Sequence, residues 1–284
     1  MTTPTYSRSG RADRDFVLTD GEFDEIRQLV RQHTGIALSE SKRELVYSRL
    51  VRRLRRLGMV SFADYIELLR AGAAEELEEF SNAITTNLTA FFRENHHFEY
   101  LAESALPLLE KRNAASRRLR IWSAGCSTGE EPYSIAMVLL AEMHRFQGWD
   151  VKILATDIDS QVLGHATAGR YAAERAERVP PRYTRYFSRE DDGNYLVKPE
   201  ARALVSFRQL NLMQPWPMRG PFDIVFCRNV VIYFDKPTQI ELFGRLSELQ
   251  KVGDYLFVGH SESLFKVCDR YELIGKTAFR RIAV

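Results

Sequence analysis

The segment WSAGCSTGEEPYSIAM (122–137) sets Gly125, Ser127, Thr128 and Gly129 between an apolar run and a helix-like stretch that opens with Glu130, Glu131 and Pro132. Glycines at a strand-to-helix junction let the backbone approach a ligand closely, and proline suits a first helical turn, where its missing N–H is not needed. A diphosphate at such a loop uses free amides and the positive end of the helix dipole. Two carboxylates at that end repel a diphosphate and attract an ammonium group. The loop therefore favours S-adenosylmethionine over a dinucleotide, with Gly125 and one of the pair Glu130 and Glu131 at the ligand; in the plainer alternative the two acids only stabilise the helix start. The next apolar run, VKILAT, ends in Asp157, an acid placed where paired hydrogen bonds hold a ribose diol. Asp159 is the better helix cap. Asn211 in LNLMQPW and Asn229 in CRNVVIY stand at strand ends on the same edge. Their carboxamides suit an adenine edge or an amino-acid head group, and equally a turn.

Other chemistries fail on spacing. The loop lacks GxGxxG, and no Lys-Ser/Thr follows it as in a P-loop. GHSES (259–263) departs from a GxSxG nucleophile elbow at its last position and reads as a strand-end turn. His96 and His97 adjoin Glu94 and Glu99, but neighbouring helical side chains diverge by about 100° and no HExxH spacing exists, so no metal site is expected.

The elements that must position these residues fall into two groups. Residues 1 to about 18 are polar and read as a flexible tail. Phe23, Ile26, Leu29 and Val30 recur at helical spacing up to Gly35, and Ser41 with Glu44 reads as a capping box before Val46, Leu50, Leu54 and Leu57. Ser61 caps a third helix, and AAEELEEFSNAI reads as a fourth. Beyond them, the runs LRIWSAG (119–125), VKILATD (151–157), FDIVFCRN (222–229) and YLFVGH (255–260) alternate with helical sequence, as in a mostly parallel sheet. Pro180-Pro181 and the Asp192-Gly193 turn mark a small antiparallel excursion between Tyr171 and Leu210.

The totals narrow the function. Forty basic residues against 38 acidic ones give no nucleic-acid footprint. No apolar leader opens the chain, and nowhere do about 18 apolar residues run together, so neither secretion nor membrane insertion is expected. Cys126, Cys227 and Cys268 lie too far apart for a CxxC pair, which fits a reducing cytoplasm.

Five ordered strings carry a resemblance: TTNLTAFFRENHHF (85–98), the glycine loop, ATDID (155–159), LNL (210–212) and FCRNVVIYF (226–234). Together they resemble the chemotaxis receptor methyltransferases of the CheR family, over roughly residues 20 to 284. The resemblance implies an α/β fold: a Rossmann-like class I methyltransferase domain (85–284) with a β insertion at about 172–209, after an all-α substrate-docking domain (19–84) and the tail. It implies S-adenosylmethionine as methyl donor, S-adenosylhomocysteine as product, and glutamate side chains on the cytoplasmic helices of methyl-accepting receptors as acceptors, with the enzyme a cytoplasmic monomer.

Residue by residue, Asn87, Thr89 and Arg93 match positions that close over the cofactor. Glu130-Glu131 matches the ammonium contact, Asp157 the ribose acid, Asn211 with Leu212 the adenine neighbourhood, and Asn229 with Val230 the methionyl side. Arg93 and Tyr233 match residues that arrange the acceptor carboxylate. Arg49, Arg52, Arg53 and Arg56, at i, i+3, i+4 and i+7, form a basic stripe suited to an acidic helix. The same cofactor site would serve a receptor of a non-motility pathway or a cofactor-binding scaffold, whereas the [DN]-P-P-[YFW] stretch of amino-group methylation is missing. The β insertion resembles the subdomain that, in some members, binds a receptor's C-terminal pentapeptide, but its turn SREDDGNY lacks the expected glycines.

Overall fold

The computed structural model describes residues 16–283; the tail expected at 1–18 lies mainly outside them. Phe16 and Leu18, at its end, pack onto the helical domain, and the Tyr47 hydroxyl donates to the Phe16 carbonyl at 3.0 Å. Thr19 and Glu22 exchange reciprocal hydrogen bonds at the start of α1 (Asp20–Thr34), and Gly35 ends it with φ of 77°. Helix α2 (Arg43–Leu57) does not begin with the expected capping box. Ser41 sits inside a 3-10 turn, Glu40–Lys42, and its hydroxyl meets that of Ser39 at 2.8 Å. Ser61 caps α3 (Phe62–Arg70) through the Asp64 amide, and α4 (Ala74–Ile84) closes the bundle. Phe23, Ile26, Leu50, Leu54, Phe62 and Phe80 fill its interior.

The basic stripe on α2 is only half a surface feature. Arg49 donates to the carbonyls of Ile84 (2.6 Å) and Thr85 (2.7 Å), capping the end of α4. Arg53 is bidentate to Glu76 (2.8 and 2.5 Å) and reaches Glu79 (2.9 Å), while the Tyr65 hydroxyl donates to Glu76 at 2.6 Å. These two arginines border the apolar face, so their length carries the guanidinium inward over α4 rather than out to solvent. Arg52 and Arg56 stay exposed.

The second domain runs through α5 (His96–Tyr100), α6 (Leu106–Arg112), β1 (Arg118–Ala124), α7 (Glu130–Ala141), β2 (Asp150–Asp157), α8 (Ser160–Ala168), β3 (Arg170–Tyr171), α9 (Ala173–Ala176), β4 (Phe187–Arg189), β5 (Tyr195–Val197), α10 (Pro199–Arg202), β6 (Val205–Gln209), β7 (Ile224–Phe226), α11 (Lys236–Glu248), β8 (Tyr255–Phe257), β9 (Tyr271–Gly275) and β10 (Ala278–Arg281). A seven-stranded sheet has the order β6-β2-β1-β7-β8-β10-β9. Its first five strands are parallel and β10 is antiparallel to both neighbours. Helices cover both faces: Ile121, Phe226 and Phe257 pack with Ile135 and Leu106, and Trp122, Val225 and Leu256 with Leu242 and Phe243. Burial on both sides is why these strands read as unbroken apolar runs.

The β insertion is smaller than expected. Strands β3, β5 and β4 form the antiparallel sheet, but β6 belongs to the main sheet, pairing parallel with β2 from Ile153–Val205 to Asp157–Gln209. As an edge strand it is only half covered, and its mixed pattern imitates an antiparallel one. Removing one partner of a buried ion pair strands the other, at about 3–5 kcal/mol. Arg53→Met is therefore expected to lower unfolding free energy by about 3 kcal/mol in denaturant titrations, whereas Arg52→Met leaves the midpoint unchanged.

Candidate active site

The carboxyl ends of β1, β2 and β7 open into a cavity of about 450 Å³, roofed by residues 84–93 and walled on one side by the α1–α2 connection, Ile36–Ser39. Gly125, Glu131, Asp157, Asn211, Leu212, Asn229, Val230, Tyr233, Asn87, Thr89 and Arg93 all line it. Two distant stretches meet because Ile36 bridges to Phe234 and the Ala37 amide donates to the Tyr233 carbonyl at 2.8 Å.

Asp157 ends β2 with both oxygens held from behind: Oδ2 accepts from the Ser127 amide (2.8 Å) and Oδ1 from the Asp159 amide (3.0 Å). A carboxylate has about four acceptor sites, so each oxygen keeps a lone pair for a diol. Burial pushes the Asp157 carboxyl up to about 6, against the pull of those amides. Asp159 caps α8 by accepting from the Gln161 and Val162 amides, and its other oxygen accepts from Asn87 and Thr85, both at 2.7 Å. The cap of one domain is thus also the clasp on the segment leaving the other.

The two acids at the start of α7 part company. Glu131 faces the cavity, accepting from Ser123 Oγ (2.7 Å) and Arg228 Nη1 (3.0 Å), and burial raises its carboxyl above the usual range despite Arg228. Glu130, the other candidate for the cofactor contact, does not line the cavity. It turns toward the β insertion, where it accepts from Thr128 Oγ1 (2.6 Å) and Arg175 (2.5 Å). Successive helical residues point about 100° apart, so only one of the two can face the site. Asn211 lies at the cavity wall, but its amide donates to the His33 carbonyl at the end of α1 (2.5 Å) and its oxygen accepts from Met213 N (2.9 Å). Its geometry ties the domains together and leaves the apolar Leu212 beside the ligand space.

Spacing gave no sign of Arg228. It is buried between three elements, reaching Glu131, Glu94 (3.4 Å) and the Arg93 carbonyl. Its signal in the sequence was a lone charge inside the apolar string FCRNVVIYF. Glu94 also accepts from His260 Nδ1 (2.9 Å), and although burial opposes ionisation, that bond and Arg228 bring its carboxyl down to about 2. His96 and His97 do not diverge as expected: Glu94 has φ of 57°, the chain bends, and the potential ligand atoms of Glu94, His96 and His97 lie within 4.8 Å of one another. Burial, then the Arg228 charge, lowers His97 to about 3, and its Nε2 meets the Lys276 carbonyl and Thr277 Oγ1, both at 3.0 Å. Arg228 is the countercharge of this cluster.

Glycine is required at the start of the loop, where it meets the Asn229–Tyr233 segment. Gly125 has φ of 82°, and a Cβ there would lie 2.3 Å from Val230 Cγ2. Gly125→Ala should displace the Val230 segment into the cavity and weaken nucleoside binding at least tenfold in titration calorimetry, with the far-ultraviolet dichroism unchanged.

Known proteins match both halves of the chain. The family model "CheR methyltransferase, SAM binding domain" covers residues 87–280, and "CheR methyltransferase, all-alpha domain" covers 21–85. The chain is 46% identical over 272 residues to chemotaxis protein methyltransferase 2 of Pseudomonas aeruginosa, spanning 94% of this chain and 95% of that protein. It is 43% identical to a probable chemotaxis protein methyltransferase of Rhizobium etli (89% and 96%) and 44% identical to the chemotaxis protein methyltransferase of Escherichia coli (92% and 91%). With a mostly parallel sheet, a glycine loop after β1 and an acid at the end of β2, the chain belongs to the CheR methyltransferase family and is an S-adenosylmethionine-dependent methyltransferase.

Proposed function

We propose that this enzyme methylates glutamate side chains on the cytoplasmic helices of chemotaxis receptors, with Arg93 and Tyr233 arranging the acceptor carboxylate. The observation that carries the residue assignment is their meeting in one cavity: Arg93 on the roof and Tyr233 on the wall both line it, as do Asn229 and Val230. Bound S-adenosylmethionine supplies a sulfonium methyl group, an electrophile that a carboxylate attacks directly. Asp157 would hold the ribose diol, Glu131 the methionyl ammonium, and Leu212 the adenine face.

A glutamate is ionised at neutral pH and needs no general base. Among the described residues the cavity is lined by no histidine or cysteine, which suits an acceptor that arrives as a nucleophile. Arg93 holds its own backbone turn through a 2.8 Å bond from Nη1 to the Leu88 carbonyl, leaving guanidinium donors for the carboxylate. Orientation and avoided solvent reorganisation supply roughly 7–11 kcal/mol in well-aligned reactions, so positioning carries most of the rate. Docking of an acidic receptor helix in the cytoplasm then falls to Arg52 and Arg56, since Arg49 and Arg53 are engaged inside the helical domain.

Receptor-containing membranes incubated with labelled S-adenosylmethionine should acquire alkali-labile label; alkali-stable label would refute ester formation. Arg93→Ala should lower kcat by about a hundredfold, in line with loss of one charged transition-state contact, and full activity would remove its assignment. Asp157 gives a pH test. Diol hydroxyls donate to the ionised carboxylate, so ligand binding lowers its pKa and weakens as pH falls through about 6. S-adenosylhomocysteine should bind several-fold more weakly at pH 5 than at pH 7.5, with proton release near pH 6. In the ligand-free protein the sign reverses: the raised carboxyl keeps its proton folded, so this group's contribution to stability is lost as pH rises from about 4 to 6.

A further inference from the structure

The turn after β8, Gly259-His260-Ser261-Glu262, lies outside the roles assigned so far, yet it grips both sides of the acceptor space. Glu262 is 5% exposed and its carboxylate accepts four backbone N–H groups. Oε2 takes those of Asn229 (2.8 Å) and Gly259 (2.6 Å); Oε1 takes those of Val231 (2.9 Å) and Ile232 (3.3 Å). Three of the four come from the loop that bears Asn229, Val230 and Tyr233. That loop begins with Asn229 at φ of 59°, the left-handed region, which asparagine enters more readily than most residues but which still costs backbone energy for any residue with a side chain. Surrounding bonds must hold it there, and Glu262 supplies them.

The same turn reaches the other side through His260, whose Nδ1 lies 2.9 Å from Glu94 Oε1. Phe92 and Glu94, which flank Arg93, have φ of 53° and 57°, so the backbone carrying Arg93 is also held out of its preferred conformation. Gly259 has no room for a side chain: a Cβ would lie 2.3 Å from Asn229 Nδ2. The turn therefore packs directly against the loop it supports.

We propose that the Gly259–Glu262 turn is a positioning element of the acceptor site: Glu262 sets the backbone of the Asn229–Tyr233 loop, and His260, through Glu94, sets Arg93 relative to it. The proposal rests on the reading of Arg93 and Tyr233 as acceptor-arranging residues. Neither turn residue lines the cavity, so each acts through the residues it holds. A carboxylate is required at 262, because an amide has one acceptor atom and one donor atom. Glu262→Gln keeps the volume but faces two of the four N–H groups with donors of its own.

The test measures kcat, acceptor KM, S-adenosylhomocysteine affinity and thermal midpoint for Glu262→Gln and for His260→Ala, the latter on a side chain 67% exposed, with Arg93→Ala in parallel. Expected for Glu262→Gln are a kcat at least tenfold lower and product affinity several-fold weaker at temperatures well below its midpoint, since Asn229 and Val230 move with Tyr233. Expected for His260→Ala is a three- to tenfold lower kcat, with thermal midpoint and product affinity unchanged. A kcat within twofold of the parent for His260→Ala overturns the coupling to Arg93. Activity in Glu262→Gln that falls only in proportion to the unfolded fraction overturns the role of Glu262 and makes it structural alone. Full activity in Arg93→Ala would instead remove the underlying reading of the acceptor site, while weaker product binding in Glu262→Gln would still report the displaced loop.

Discussion

A guanidinium buried to 5% exposure sits between two carboxylates in this fold, and three chain segments are arranged around it. Arg228 leaves the end of β7, meets Glu131 from α7 and Glu94 ahead of α5, and donates to the carbonyl of Arg93. A cation out of water in this way is tolerable only when its partners are charged and close, and either acid alone would be stranded without it. The consequence is geometric. The glycine loop and its helix, the strand end beside it and the roof segment cannot shift independently, so the cavity is fixed before any ligand enters. Preorganisation of this kind lets binding free energy go into alignment rather than ordering.

The second constraint is that the two domains are joined by polar bonds along the rim of that cavity. Asp159 clasps Thr85 and Asn87, Asn82 bonds Ser160 (3.1 Å), and Asn211 bonds the end of α1. The helical domain therefore does more than present a surface. Its α1–α2 connection forms a wall of the site, with Lys42 and Leu45 at the mouth beside Leu88 and Ile232. An acceptor helix arriving at that mouth would touch both domains at once, and the exposed apolar Leu88 and Ile232 would flank the entering side chain.

Much of this was legible in the sequence for identifiable physical reasons. Parallel strands buried on both faces leave apolar runs, and β1, β2, β7 and β8 announced themselves that way; caps at Ser61 and Asp159 carry their own residue chemistry. The errors came where side-chain reach or edge exposure decides. Spacing along α2 made four arginines look alike, although the two that border the apolar face fold inward onto α4. Strand β6 is half exposed and looked antiparallel, β9 alternates, and β10 joins two buried residues to two arginines, so neither strand of that hairpin registers as an apolar run. Adjacent Glu130 and Glu131 could not be told apart without the helix phase. The roles of Arg228, marked only as a lone charge in an apolar string, and of Glu262 were illegible for a different reason: their partners lie far away in the chain, and only tertiary contact gives them meaning.

The central chemical claim is that the enzyme aligns a carboxylate that is already ionised and removes no proton. Asp157 and Glu131, the two cavity acids whose carboxyls burial pushes up, are held by two amides at the expected ribose end and by Ser123 and Arg228 at the expected ammonium end, and both are remote in role from the acceptor. The most direct measurement is kcat against pH, from about 6.5 to 9, with S-adenosylmethionine and receptor both saturating. A flat profile is expected, because no group in the saturated complex must change protonation for methyl transfer. A rise in kcat with an apparent pKa between 7 and 8.5 would mean that a base takes a proton in the rate-limiting step, and would contradict it.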